Sequence, residues 1–258
     1  MAMGGSSIEQ DGAGALDPPH RIGRSPATPV RHTCTLLRMG LARGLERRLE
    51  RLVDGLAARL FRGRIHPVEL GSRLVREADL ALFETPAGPG VPNVFRVVLG
   101  GDPVGSDVLV VVRHELEEFV EAAAAERGWR LEGPARVIVQ ISPERRPSSA
   151  EIEAWVEPGA RPPWMVLVPA GGREPGPAVT TNRAVVGRSG ECDVRVPGDD
   201  VSRKHALVWR ESGTAWMVDL GSSNGTFLNG ARLSGPAPLG EGDRVTFGAS
   251  EFVVGWPV

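Results

Sequence analysis

Residues 185–226 read VVGRSGECDVRVPGDDVSRKHALVWRESGTAWMVDLGSSNGT, and the fold turns on how this stretch is divided. Gly187-Arg188 ends one apolar run. Ser202-Arg203-Lys204-His205 opens a second. Gly221-Ser222-Ser223-Asn224-Gly225-Thr226 follows a third. The runs between these blocks are short and rich in Val, Leu and Trp, which reads as strands. The polar blocks therefore fall at strand ends, where a rigid scaffold presents functional groups on loops. Arginine supplies a planar fork of donors suited to phosphate oxygens. Hydroxyls and backbone N–H groups complete an anion cradle.

Working outward, short apolar runs recur from Trp164 to the end, separated by Gly, Asp and Asn. Strands are expected near 164–168, 183–187, 192–196, 205–210, 215–219, 225–228, 244–247 and 251–255. That spacing predicts an all-β sandwich over residues 164–258. Trp209 and Trp216 are expected as core residues on adjacent strands. Gly225 and Gly230 suit turn conformations closed to other residues.

The blocks GR, SRKH and GSSNGT, in this order and spacing, resemble the forkhead-associated (FHA) domain, a phosphothreonine-recognition module. The resemblance implies a phosphopeptide site made of Arg188, Ser202, Arg203, Lys204, Ser223 and Asn224. In that assignment Arg188 reaches the peptide or its phosphate, and the Ser202 hydroxyl holds the phosphate. Arg203 and Lys204 add charged donors. Ser223 lines the groove, and Asn224 fixes the peptide main chain. Gly187, His205 and Gly225 are structural at the site, with His205 tying two loops together. Preference for phosphothreonine over phosphoserine is likewise implied by the family.

The amino-terminal part has a different texture. Residues 1–38 are rich in Gly, Ser, Pro and Arg without periodicity and are expected to be a disordered tail. Met39 directly precedes the first periodic segment and suits a native initiator. Leu41, Leu45, Leu49, Leu52, Leu56 and Leu60 recur at helical spacing, so a helix is expected over 39–62. Arginines fall largely between the leucines. They make a solvated face on a packed helix or, alternatively, a basic amphipathic surface for an anionic membrane. Phe61 is the one aromatic residue among them, too few for base stacking, which argues against nucleic acid. Pro67 suits the first turn of a second helix, running to about Phe83. His66 beside it is expected to be structural. Thr85–Pro92 reads as a Pro/Gly loop and 93–101 as a strand. A third helix is expected within Asp107–Arg127, starting near Val112 or Arg113, with Gly128 as its stop. Its glutamates, Glu115, Glu117, Glu118, Glu121 and Glu126, read as a solvated acidic face. Strands are expected at 135–142 and 152–156.

This order predicts an α+β domain over 39–156, joined by the Pro-rich linker 157–163 to the sandwich. The segment MGLARGLERRLERLVDG, with HPVEL, READ and VPNVFRVVL after it, resembles the amino-terminal domain of actinobacterial FhaA proteins. Those proteins carry an FHA domain at the other end, on a much longer linker. The near-absence of a linker here implies limited freedom between the two domains.

Composition bounds the function classes. The chain has 258 residues, is 41% hydrophobic and 24% charged, and has a net charge of −2. Bulk charge gives no hint of nucleic acid. Lys204 is the single lysine, and with many Ala, Gly, Val and Pro this suggests a GC-rich bacterial genome. Cys34 and Cys192 are the two cysteines, too few and too separated for a disulfide framework or a zinc site. A cytoplasmic setting is expected. No phosphate-binding loop, nucleophile elbow, HExxH or paired-cysteine motif is present, so no enzyme, catalytic residue, metal or cofactor is expected. The resemblances imply an adaptor in bacterial Ser/Thr-kinase signalling that regulates cell-wall synthesis or division. The implied partners are phosphothreonine proteins: a Ser/Thr kinase, or a pseudokinase-like cell-wall protein through which it would meet the membrane. The competing class is a peripheral membrane or scaffold protein acting through helix 39–62. Thr28, Thr33 and Thr35 are candidates for phosphorylation and self-capture.

Overall fold

His66-Pro67 starts the first long described helix by a local mechanism. Proline at the first helical position lacks an N–H that would in any case go unpaired. The His66 Nδ1 accepts the Val68 N–H at 3.3 Å, capping the next one. The helix buries Leu70, Leu74 and Ala78 on one face and ends at Leu80, short of the expected Phe83. The computed structural model describes Met1 and residues 58–61, 65–172, 176–211 and 213–257. The expected tail, its threonines, Met39 and most of the expected helix 39–62 lie outside these residues.

The amino-terminal half contains α1 (Ala58–Phe61), α2 (Pro67–Leu80), β1 (Phe83–Thr85), β2 (Gly88–Val91), β3 (Val94–Gly100), α3 (Ser106–Arg127), β4 (Arg130–Leu131), β5 (Arg136–Ser142) and β6 (Ala150–Trp155). β3 is the central strand, parallel to β5 and antiparallel to β6. A parallel neighbour requires a crossover, and α3 supplies it. Phe95, Val97 and Leu99 alternate into a core shared with Leu60, Leu70, Leu74, Leu116 and Phe119. This is an α+β arrangement with helices against one face of a sheet.

Three local expectations are corrected. α3 begins at Ser106 rather than near Val112, because Val108 and Val112 already share its buried face. The valine run 108–112 carries strand propensity that packing overrides. The expected 85–92 loop instead forms the β1–β2 hairpin, with β4 added in parallel to β2. Two acids on α3 are not simply solvated. Glu117 Oε1 accepts the Val137 N–H at 3.1 Å, and Glu121 Oε1 accepts the Ala135 N–H at 2.9 Å. They satisfy donors at the start of the edge strand β5.

The carboxy-terminal half contains β7 (Met165–Pro169), β8 (Ala178–Val179), β9 (Arg183–Gly187), β10 (Val194–Arg195), β11 (Ala206–Glu211), β12 (Thr214–Asp219), β13 (Thr226–Leu228), β14 (Ala231–Arg232), β15 (Ala237–Leu239), β16 (Arg244–Phe247) and β17 (Ser250–Gly255). One sheet has the order β10-β9-β11-β12-β15 and the other β14-β13-β16-β17-β7-β8. They enclose a second core of Met165, Leu167, Val186, Val208, Met217, Val245 and Phe247. Trp209 and Trp216 are a cross-strand pair, stacked at 6.3 Å. They are half-buried and lie outside that core, which corrects the sequence expectation. In β11 the neighbours Ala206 and Val208 face inward, so the period of two turns Leu207 and Trp209 outward.

Residues 157–163 have no regular structure but are tied down. Buried Asn93 donates to Pro134 O and Glu157 O, each at 3.0 Å, and its Oδ1 accepts the Glu157 N–H at 2.9 Å. Arg161 donates to both oxygens of Glu121, at 2.7 and 3.1 Å.

Candidate functional site

Strand register brings the three sequence blocks to one end of the sandwich. Val186 pairs with Ala206, and Ala206 pairs with Asp219 on its other side. The chain leaves β9 after Gly187, enters β11 after His205 and leaves β12 after Asp219. All three loops therefore emerge in one row.

The loops are bonded to one another. Arg188 N–H donates to Ser202 O at 3.0 Å, and Ser189 N–H to Arg203 O at 3.2 Å. Ser223 N–H donates to the Ser202 hydroxyl at 3.1 Å. Asn224 Nδ2 donates to Asp200 O at 2.8 Å. His205 is fully buried beneath them. Its Nδ1 accepts the Ser202 N–H at 3.0 Å, so the proton is on Nε2, which donates to Gly225 O at 3.1 Å. Phe247 meets the ring edge-on at 5.6 Å.

Two glycines are required by this geometry. A Cβ on Gly187 would lie 2.3 Å from Arg203 O and 2.9 Å from Ser202 O, so no side chain fits where the loops cross. Gly225 has φ +84° and lies against the Arg232 guanidinium.

Arg188, Arg203, Lys204, Ser223 and Asn224 are exposed, and Ser202 is half-buried. The side chains of Arg188, Arg203 and Lys204 make no hydrogen bond or ion pair among the described residues. Some exposed cations elsewhere are paired with acids, as in Arg244–Glu251 and Arg136–Glu157. Here three cationic residues stand on the same joined loops as the Ser202 hydroxyl, and none of their side chains forms an ion pair among the described residues. Such a cluster suits a multiply charged oxyanion held by charge-assisted bonds, each worth about 1.5–3 kcal/mol.

Sequence reasoning overlooked the residue that shapes the third loop. Asp219 accepts the N–H groups of Gly221 and Ser222, each at 2.8 Å, and the hydroxyls of Ser222 and Thr226, each at 2.6 Å. Ser222 Oγ in turn accepts the Gly225 N–H at 3.0 Å. Burial alone would raise the Asp219 pKa. The Ser222 and Thr226 hydroxyls and the two N–H groups outweigh it and hold the carboxyl below the usual range. An acid just before a Gly-Ser-Ser run is an Asx-turn signal that could have marked it. Arg232, against Gly225, was also missed, because it lies on a hairpin outside the three blocks.

Residues 43–153 match the family described as the FhaA N-terminal domain, and residues 184–248 match the FHA domain. The chain is FhaA-like, with both domain types. A relative is the FHA domain-containing protein FhaA of Mycobacterium tuberculosis, 34% identical over 70 residues, or 27% of this chain and 13% of the relative. A probable E3 ubiquitin-protein ligase, dma1, of Schizosaccharomyces pombe is 44% identical over 55 residues, 19% of this chain and 21% of its own. The chain thus spans about a fifth or less of the curated relatives it matches. Among solved structures, the FhaA FHA domain complexed with the intracellular domain of Rv3910 is 28% identical. That match covers 35% of this chain and 97% of the other, with a TM-score of 0.32.

Proposed function

We propose that the FHA domain binds phosphothreonine peptides and that the protein is an adaptor in bacterial Ser/Thr-kinase signalling. The observation that carries this reading is the meeting, at one end of the sandwich, of the loops that bear Arg188, Ser202, Arg203, Lys204 and Ser223, the three cations having no ion-pair partner among the described residues. A phosphothreonine brings about −1.5 to −2 charges and three acceptor oxygens at pH 7. An unmodified threonine brings neither, so binding depends on the phosphate. In the proposed division of labour, Ser202 and the cations hold the phosphate while Ser223 and Asn224 position the peptide main chain. His205, Gly187 and Gly225 keep the loops in place.

The proposed partners are phosphorylated proteins of a kinase pathway, a Ser/Thr kinase or a pseudokinase-like cell-wall protein, encountered in the cytoplasm. The role is binding rather than catalysis. Among the described residues no cluster of His, Cys, Asp and Glu could hold a metal, and no helix is long and apolar enough to cross a membrane. Calorimetric titration with matched phosphorylated and plain threonine peptides tests the reading. Micromolar binding of the phosphorylated form alone supports it. Equal binding of both forms, or unaltered binding by Arg188→Ala, overturns it.

A further inference from the structure

The two cores meet across an interface organised by one arginine. Arg130, in β4 of the amino-terminal half, is only 8% exposed. Its guanidinium reaches across to the FHA domain. Nη1 donates to Asp193 Oδ2 and to Arg183 O, each at 2.8 Å, and Nη2 donates to Asp193 Oδ1 at 2.7 Å. On its own side it donates to Glu132 at 2.9 and 3.2 Å. Burial would weaken the cation's hold on its proton. The hydrogen bonds to Asp193 and Glu132 outweigh this and hold the pKa above the usual arginine value.

Asp193 is the last residue of the loop that begins with Arg188. Besides Arg130 it accepts the Val185 N–H at 2.8 Å. Its side chain is 20% exposed and that of Glu132 is 28% exposed. Other contacts seat the same strand. Asn182 donates to Trp129 O at 2.8 Å and accepts the Leu131 N–H at 3.1 Å. Arg183 Nε donates to Ala87 O at 2.9 Å, with its guanidinium over the Trp209 ring. Ala87 packs with Val185 and Leu207.

The Arg188–Asp193 loop thus has two sets of anchors. Its front is held by the carbonyls of Ser202 and Arg203. Its back is held by a side chain that belongs to the other domain. We propose that Arg130 is a positioning residue for the phosphopeptide site, setting through Asp193 the conformation of the loop that carries Arg188. The amino-terminal domain is then a structural part of the phosphate reader. Without Arg130, two half-covered carboxylates face each other with no cation between them. The loop end that carries Asp193 then keeps the Val185 N–H as its side-chain partner, and the repulsion acts on it directly.

This rests on the phosphopeptide reading, and the test separates the two. In the full chain, Kd is measured for a phosphothreonine peptide pool randomised on both sides, well below every unfolding transition. Hydrogen exchange at residues 188–193 is followed in the unliganded protein. Arg130→Met is expected to raise Kd about threefold to tenfold and to speed loop exchange. Adding Asp193→Asn removes the uncompensated carboxylate and is expected to restore part of the affinity. Arg161→Met breaks a different, half-buried ion pair, to Glu121, and is expected to lower the melting temperature with Kd within about twofold of wild type. Unchanged Kd and exchange in Arg130→Met overturn the proposal, as does an equal rise in Kd for Arg161→Met. If Arg130→Met fails to fold, Arg130→Lys, which replaces the fork with a single point of contact, is measured against the same outcomes. If wild type binds phosphorylated and plain pools alike, the phosphopeptide reading fails. Loop exchange then decides alone whether Arg130 positions the loop.

Discussion

Arg188 and Ser202 are joined through their backbones, the N–H of the first donating to the carbonyl of the second at 3.0 Å. Their side chains therefore start from adjoining points on one rim. Removing either is expected to weaken phosphopeptide binding by about 1.5–3 kcal/mol, roughly tenfold to a hundredfold. Calorimetry on Arg188→Ala and Ser202→Ala checks this. Both variants are expected to keep the wild-type melting temperature within a few degrees, since neither side chain is in a core.

Because the cations are exposed, their attraction for phosphate is screened by salt. Phosphopeptide affinity is expected to fall steadily as ionic strength rises from about 0.05 to 0.5 M, over which the screening length shortens severalfold. A titration series in sodium chloride reads this directly. The Arg203→Ala/Lys204→Ala double variant is expected to show a shallower dependence.

His205→Ala removes a buried ring and leaves the Ser202 N–H and Gly225 carbonyl without their partner. The expected destabilisation is about 3 kcal/mol or more, from the cavity and the two orphaned groups together. Urea unfolding measures it. Gly187→Ala is expected to be costly for a different reason, overpacking against the Arg203 and Ser202 carbonyls, at about 1–3 kcal/mol. It also pushes apart the two loops that present Arg188 and Ser202, so phosphopeptide affinity falls with stability.

Asp219 gives the fold an acid-sensitive element. Its native pKa lies below the ordinary value of 3.8. The sign follows: its stabilising effect is complete above that value and is lost as pH falls through the lower native one. Asp219→Asn is expected to be less stable than wild type at neutral pH. The difference narrows at the acid end, because the wild-type carboxyl is then protonated too. Urea midpoints taken from pH 7 downward test this. A gap that stays constant with pH would count against the hydrogen-bonded carboxylate as its source.

Much of this architecture can be read from the chain because each signal is local. The apolar runs ending at Gly187 and Asp219, and the one beginning at Ala206, are short, continuous and bounded by turn residues, as buried strands are. Polar residues at their ends necessarily fall on loops. What escaped reading depends on distance or on backbone alone. The β1–β2 hairpin pairs a three-residue strand with Gly88-Pro89-Gly90-Val91, too short and too poor in side chains to announce itself. Arg130 is one arginine among many, and its partner Asp193 lies on a loop of the other half. Trp209 and Trp216 look like core residues by size. Only the register of β11 shows that they face away from the sandwich, and only the neighbouring half explains why Trp209 is covered.

The pinning of residues 157–163 by Asn93 and Glu121 has a consequence for covalent integrity. The halves are held by buried side-chain contacts as well as by the peptide chain. A protease that cut this segment would leave two fragments that still migrate together in gel filtration under native conditions, and separate only in denaturant.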